Sequence, residues 1–424
     1  MQREPDIRNQ LFREMRTHVC LINMPIEYYS PVSGGAISTV IMYTGRELIA
    51  RAHKVSVLTV VNGDETYDVG ELVEVEVKKR DDLSFFKRRV SSLRWRLSGF
   101  DWPYFEYYLD SAVRKLKKLS PAPDVVIVFN DLVSPKYIKK ALPETRVIVW
   151  LQNEWRTRHD MAETAANTDL FVACSEYIRQ WTSRTHGISL SRFTVAHNAA
   201  DLATFKPRVG YLEGGKEVRV LFVGRIDRNK GPDIVADAVT ALRAEGLPVS
   251  LTLAGGLWFY GHGNEMKDPF FRLLKTKTDA AEAKLIGHVT RRDVPALFRE
   301  HDIVCILSRS QDPYPLVTME AMASGCAVIA SKRGGLPEAC EGAGLLVEPE
   351  NFQEVVTTLR SIVTDRELLR NEKRKSVERA SREPWSKCAD VVEKLLGDGA
   401  AAEMASRGMR RVDAAFETQA HSVS

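Results

Sequence analysis

The stretch Glu217-Val-Arg-Val-Leu-Phe-Val-Gly-Arg-Ile-Asp-Arg-Asn-Lys-Gly231 decides the fold class. Glu217–Val223 is a short apolar run rich in valine that reads as a buried strand, and it runs directly into Gly224. Gly231-Pro232-Asp233 then opens a helix. The same unit begins the first half of the chain. His18–Met24 reads as a strand, Pro31–Gly35 as a loop, and Ala36–Ala52 carries Ile37, Val40, Ile41 and Leu48 at helical spacing. Further strands are expected at Lys54–Val61, Asp124–Phe129, Arg146–Leu151 and Asp169–Ala173, then at Val249–Ala254, Ala283–Ile286, Ile303–Leu307 and Ala327–Ile329, with helical patterns between them. Strand–helix alternation means a parallel sheet covered on both faces, and its restart after residue 206 means two α/β halves.

The halves are placed at residues 1–206 and 207–383, with Pro207, Gly210, Gly214 and Gly215 clustered near the join. Pro384–Leu396 reads as a closing amphipathic helix, Trp385, Cys388, Val391, Val392 and Leu395 lying on one side, within a segment 384–397. Residues 398–424 read as a frayed tail. Composition agrees with this. A chain of 424 residues, 44% hydrophobic and 27% charged, is ordinary for globular domains and excludes wholesale disorder, collagen and coiled coil. Lys+Arg of 60 against Asp+Glu of 56 leaves a net charge of +4, too little for a dedicated nucleic-acid binder. Cys20, Cys174, Cys305, Cys326, Cys340 and Cys388 form no CxxC pair and read as buried reduced thiols. Met1–Arg16 has no apolar run fit for a signal peptide, and no stretch approaches the ~20 apolar residues of a membrane span. The expected location is the cytoplasm.

In open α/β sheets ligands bind at the carboxyl ends of strands. Three strand-end groups carry chemistry. After Val223, Gly224 permits close backbone approach, Arg225 offers a planar fork of donors and Lys230 a point charge, ahead of a helix N-terminus that favours anions. This is a diphosphate site or a solvated charge cluster. In Asp312-Pro-Tyr-Pro-Leu-Val-Thr-Met-Glu320, Glu320 is expected to open a helix Glu320–Ser324 stopped by Gly325 and to accept adjacent hydroxyls such as a ribose diol. Asp312 would accept a sugar hydroxyl, and the amides of Tyr314, Leu316 and Val317 would face a phosphate or sugar, while Pro315 donates nothing. Taken as an isolated pair, the two acids would be ordinary loop residues. Ser33-Gly34-Gly35 precedes the first helix and is not GxGxxG, so it is either a tight turn or a second anion contact.

Together these pieces resemble a retaining glycosyltransferase of the GT4 type (glycosyl transferases group 1), with the GT-B fold. Ser33-Gly34-Gly35 is similar to that family's glycine turn. Asp169–Ser175 with Thr194–Pro207 (TVAHNAADLATFKP) resembles "VIPNGVDLERFRP", and Leu221–Gly231 resembles "GRLxxxKG". Asp312–Ala330 resembles "EPFGLVxLEAMAxGxPVI", and Arg333–Glu338 resembles "xGGxPE". The order and spacing of these pieces span most of the chain. The resemblance implies two Rossmann-like doubly wound domains facing across a cleft, with the C-terminal helix returning to the first. Arg225 and Lys230 would hold the donor diphosphate, Glu320 the ribose, and Asp312 with the following amides the donor sugar. Gly35 would let an amide meet phosphate, and backbone at Ile286–Val289, His288 included, would frame the base. The reaction implied is transfer of a sugar, UDP-linked ahead of GDP-linked, to a glycan, lipid-linked or small-molecule hydroxyl. It proceeds with retention and without metal or cofactor.

Three positions depart from the family pattern. Asp312 is one methylene shorter than the usual glutamate, and Pro315 replaces a glycine and removes an amide. The histidine expected after the strand Asp124–Phe129 is absent. Asn130 or Asp131 would substitute, and Gln152-Asn153 follow the next strand. His53 reads as structural, and His159, His186 and His197 show no ligand spacing. Lys87–Leu97 is basic and amphipathic, a helix with a solvated face or a peripheral contact with an anionic membrane. The aromatic run Trp102–Tyr108 reads as core ahead of acceptor groove. Two other functions stay open: a sugar-nucleotide epimerase of the same fold, which needs no acceptor, and a non-catalytic nucleotide-binding protein. A phosphorylase would need a lysine-bound pyridoxal phosphate, for which there is no motif.

Overall fold

The computed structural model describes residues 17–77, 102–155, 161–213, 215–257 and 265–397. Lys87–Leu97, His159 and the tail 398–424 lie outside the described residues, as do the side chains of residues 102–106. Two parallel sheets account for the strands. The first is ordered β3-β2-β1-β4-β5-β6-β7. It comprises β1 (His18–Ile22), β2 (Lys54–Thr59), β3 (Glu71–Glu74), β4 (Val125–Phe129), β5 (Arg146–Leu151), β6 (Leu170–Ala173) and β7 (Phe193–Val195). The second is ordered β10-β9-β8-β11-β12-β13. Its strands are β8 (Val218–Val223), β9 (Val249–Ala254), β10 (Lys284–Leu285), β11 (Ile303–Ile306), β12 (Ala327–Ser331) and β13 (Leu345–Val347). The central strands β1, β4, β11 and β12 are buried along their whole length. That is why they read as unbroken apolar runs: helices cover both faces of a parallel sheet. This is the GT-B architecture that the resemblance implied.

The strands that the apolar pattern missed, β3, β7 and β13, all sit at sheet edges and are three or four residues long. β3 (Glu-Leu-Val-Glu) is largely exposed, so no continuous apolar run marks it. One helix also differs. The segment expected as Glu320–Ser324 is a helix over Leu316–Ala323, started by Pro315 and followed by Gly325 at φ +84°. Glu320 therefore lies a full turn inside the helix rather than at its start. All six cysteines are buried and unbridged. No helix among the described residues is long and apolar enough to cross a membrane. Tyr108 is fully buried and donates to the Asn23 carbonyl at 2.9 Å, so this end of the aromatic run is core.

The helix Trp385–Leu396 completes the core of the first sheet, not the second. Trp385, Cys388, Val392, Leu395 and Leu396 are buried with Val19, Leu21, Ile41, Leu48 and Trp150. Trp385 stacks on Tyr43 at 5.0 Å with 13° between the rings. Arg51 ties the same surface, pairing with Asp390 and Glu393 at 2.7 Å each and donating to the Ser386 carbonyl at 2.8 Å. The chain thus passes between the halves twice, and the two crossings meet at a parallel bridge between Ala200 and Pro384. Truncating Trp385 to alanine removes a large buried ring from this joint. The variant should lose about 3–5 kcal/mol of stability by urea denaturation; a loss under about 1 kcal/mol would mean that the returning helix is not anchored by its ring.

Candidate active site

Strand order reverses beside β1 in the first sheet and beside β8 in the second. At such switch points the loops leaving neighbouring strands diverge and leave a crevice. The two crevices face each other and form one cleft of about 320 Å³. It is lined from the first half by Gly34–Ile37, Thr39, Gln152, Asn153 and Asn198. The second half supplies Phe222–Gly224, Lys230, Arg291, Val294, Ser308, Asp312–Val317 and Glu320. Lys230, Asp312, Tyr314, Leu316, Val317, Glu320, Gly224, Gly34 and Gly35 are thus brought together. Arg225 is half-buried next to Gly224 but is not on the lining.

Asp312 is the hub of the second-half wall. One carboxylate oxygen pairs with the Lys230 ammonium and the other accepts from the Ser308 hydroxyl. Its backbone is gripped by the turn Gly334-Gly335, whose Gly335 amide donates to the Asp312 carbonyl at 2.7 Å. A Cβ added at Gly335 would lie 1.7 Å from the Pro313 carbonyl oxygen, so only glycine fits. Leu316 and Val317 supply first-turn amides that have no intrahelical acceptor, and both residues line the cleft.

Glu320 is buried, and Arg291 holds both of its oxygens, Nη2 to Oε1 at 2.5 Å and Nη1 to Oε2 at 3.1 Å. Burial alone would weaken the guanidinium's charge, but Glu320 more than compensates. The Arg291 guanidinium also lies 5.7 Å from the centre of the Phe205 ring. Arg291 was not singled out from the sequence; the only signal was an Arg-Arg doublet just past the strand expected at Ala283–Ile286. Ile286 and His288 of that segment are exposed and outside the cleft lining.

The first-half wall corrects two expectations. The amides of the glycine turn are already engaged. Gly34 N donates to the Ser30 carbonyl at 2.9 Å, and the amides of Gly35, Ile37 and Ser38 converge on the buried Glu27 carboxylate, Ser38 N at 2.6 Å. Burial pushes Glu27 above the usual carboxylate range despite those bonds. Gly34 is required by packing, since a Cβ there would lie 2.2 Å from the Ser30 carbonyl oxygen. Secondly, Asn130 and Asp131 are buried and structural. Asn130, at φ +51°, accepts from the Trp155 indole at 2.8 Å and from Gln152 N at 3.1 Å. Asp131 accepts from Val133 N at 2.8 Å and from the Ser134 amide and hydroxyl, capping the helix Ser134–Ala141. Gln152 and Asn153 reach the cleft instead, because they leave the next strand one position along the sheet.

Two family models match the chain: "Glycosyltransferase Family 4" over residues 34–204 and "Glycosyl transferases group 1" over residues 206–383. The spore coat protein SA of Bacillus subtilis (strain 168) is 25% identical over 76% of this chain and 91% of its own length. A D-inositol 3-phosphate glycosyltransferase of Pseudarthrobacter chlorophenolicus is 30% identical over 49% of this chain and 50% of its own length. Among solved structures, Anabaena HepE in complex with UDP and glucose superposes with a TM-score of 0.68 at 16% identity, covering 90% of this chain and all of that one.

The Glu320–Arg291 pair makes a stability prediction. Arg291→Ala would leave a buried carboxylate without its cation, and should cost about 3 kcal/mol in urea denaturation. Adding Glu320→Gln should restore most of that loss, because no uncompensated charge then remains. Equal stabilities for Arg291→Ala and the wild type would dismiss the pairing.

Proposed function

The chain belongs to the group 1, family 4 glycosyltransferases, and from that membership we propose that it transfers a sugar, with retention, from a nucleotide-diphosphate donor to an acceptor hydroxyl. The donor is a UDP-sugar ahead of a GDP-sugar, a choice supported by the UDP held by the HepE structure of the same fold. The acceptor is a glycan, a lipid-linked sugar or a small molecule. The observation that carries the reading is the convergence of Lys230, Asp312, the Leu316 and Val317 amides and Glu320 on one cleft.

In this reading the diphosphate sits between Lys230 and the first-turn amides, with Arg225 alongside. Lys230 exchanges its Asp312 partner for phosphate oxygens. The freed carboxylate oxygen of Asp312 then accepts a hydroxyl of the donor sugar. Glu320 accepts the ribose hydroxyls through lone pairs that Arg291 leaves unused, a carboxylate having about four acceptor positions. The bond from the sugar's anomeric carbon to the diphosphate oxygen breaks, and its electron pair leaves with the diphosphate. The acceptor oxygen bonds the anomeric carbon on the same face, and its proton passes to a diphosphate oxygen. Glu320 is paired with Arg291, and Asp312 keeps the Ser308 hydroxyl and gains the sugar hydroxyl, which favours the leaving group over a side chain as base. The protein contributes mainly positioning and stabilisation of separated charge.

A screen of nucleotide sugars for binding and slow hydrolysis identifies the donor. With it, Lys230→Ala and Glu320→Ala should each lose about 1.5–3 kcal/mol of donor binding, roughly 10- to 150-fold in Kd by titration calorimetry. Donor affinity and turnover unchanged in both variants would rule out the assignment.

A further inference from the structure

A second cluster of titratable groups lies behind the cleft wall and joins the two halves. His197 follows β7 in the first half. Its Nε2 is 2.7 Å from Glu338 Oε1, on the helix Leu336–Ala339, and its Nδ1 is 3.7 Å from Glu383 Oε1. Glu338 also accepts from the Glu176 and Tyr177 amides at 2.8 and 3.3 Å, the first turn of the helix Glu176–His186. Glu383 is flanked by Arg379 at 3.5 Å and Lys387 at 2.8 Å. The imidazole lies flat on the Tyr314 ring, 4.8 Å between centroids and 8° between planes. Tyr314 is held at two further points: Asn198 donates to its carbonyl at 2.9 Å, and Arg379 to its hydroxyl at 3.1 Å. Arg379 also donates to the Glu338 carbonyl at 3.2 Å.

Both ring nitrogens of His197 face carboxylates. A neutral imidazole has one N–H and can serve only one of them, whereas the imidazolium serves both. Burial pushes the ring down, but the bonds and charges of Glu338 and Glu383 outweigh it and raise it to about 9. At the residue level, Tyr314 lies between Asp312 and the Leu316 and Val317 amides, all on the cleft lining. We propose that His197 is a positioning residue of the transferase. Bridging Glu338 and Glu383 and stacked on Tyr314, it pins the segment Asp312–Leu316 to the strand-end loop of the first half and so sets the geometry of the donor site. The effect on turnover rests on the transferase reading; the clamp itself does not.

The sign follows from the raised value. The clamp's contribution is complete below the ordinary histidine pKa of about 6.5 and is lost as pH rises through about 9. Two measurements on the full chain test it. In wild-type protein, the His197 ring signals, assigned by their absence in His197→Gln, should titrate near 9 by NMR. Titration near 6.5 would overturn the clamp whatever the activity. With a nucleotide sugar that the wild type turns over, His197→Gln and His197→Phe should raise donor KM about tenfold at pH 7. They should also abolish the fall in kcat/KM through pH 9. Wild-type KM and an unchanged alkaline limb in a variant that still unfolds cooperatively would overturn the positioning role. A wild type that titrates near 9 yet turns over no nucleotide sugar would sink the transferase reading, and the positioning role with it, while leaving the clamp standing.

Discussion

Three acids at or behind the cleft could not remain charged there without partners, and the structure around them is arranged to provide those partners. Asp312 is held by Lys230 and Ser308, Glu320 by Arg291, and Glu338 by His197 and two backbone amides. A buried carboxylate without a cation or donor costs several kcal/mol. Each of these pairings therefore constrains the loops that supply its members. Asp312–Lys230 ties the loop after β11 to the loop after β8. Glu320–Arg291 ties the helix Leu316–Ala323 to the segment after β10, and Glu338–His197 ties the second half to the first.

Backbone packing makes these ties rigid. The Gly334-Gly335 turn lies so close to Asp312 and Pro313 that a side chain at either glycine would collide with their backbone, and Gly334 adopts φ +60°. The same short segment carries Glu338 a few residues on, at the interface with the first half. The loop that carries Asp312 is thereby tied to the interface between the halves. Trp385, two residues past Glu383 and stacked on Tyr43, continues this joint where the last helix returns to the first sheet. The cleft is lined by elements of both halves.

How far the sequence showed this depends on distance along the chain. Central strands were legible because burial on both faces leaves an unbroken apolar run, and the edge strands β3, β7 and β13 were not because exposure interrupts it. Lys230, Asp312 and Glu320 were legible as cleft residues because they follow β8 and β11 in a recognisable order, Glu320 a turn inside the helix after β11. Their partners were harder. Arg291 lies 29 positions from Glu320, and His197 lies 141 from Glu338, so neither pair has a local signature. Asn130 and Asp131 misled for a related reason. Polar residues at a strand end cap and cross-brace loops as readily as they bind ligands, and here one caps a helix and the other orders Trp155. Glu27 was overlooked because a helix start preceded by glycines reads as an open anion site, whereas the chain folds its own carboxylate onto it.

In the proposed reading, the occupied helix start bears on where a diphosphate would be held. Amide donors at the turn Gly34-Gly35 serve Glu27 and Ser30, and the side-chain amides of Gln152 and Asn198 bond each other and the Tyr314 carbonyl, so the first half lines the cleft with neutral polar groups, Gln152, Asn153 and Asn198. The lining cations, Lys230 and Arg291, and the uncommitted first-turn amides come from the second half. Negative charge is therefore best stabilised on that side, near Lys230, while the first half presents neutral donors and acceptors suited to hydroxyl groups. A transfer reaction needs that asymmetry: one wall must stabilise the departing anion, and the other must orient an uncharged nucleophile without competing for its proton. The division follows from which strand ends carry charge, and in the proposed reading it would give the two halves different work although their sheets are built alike.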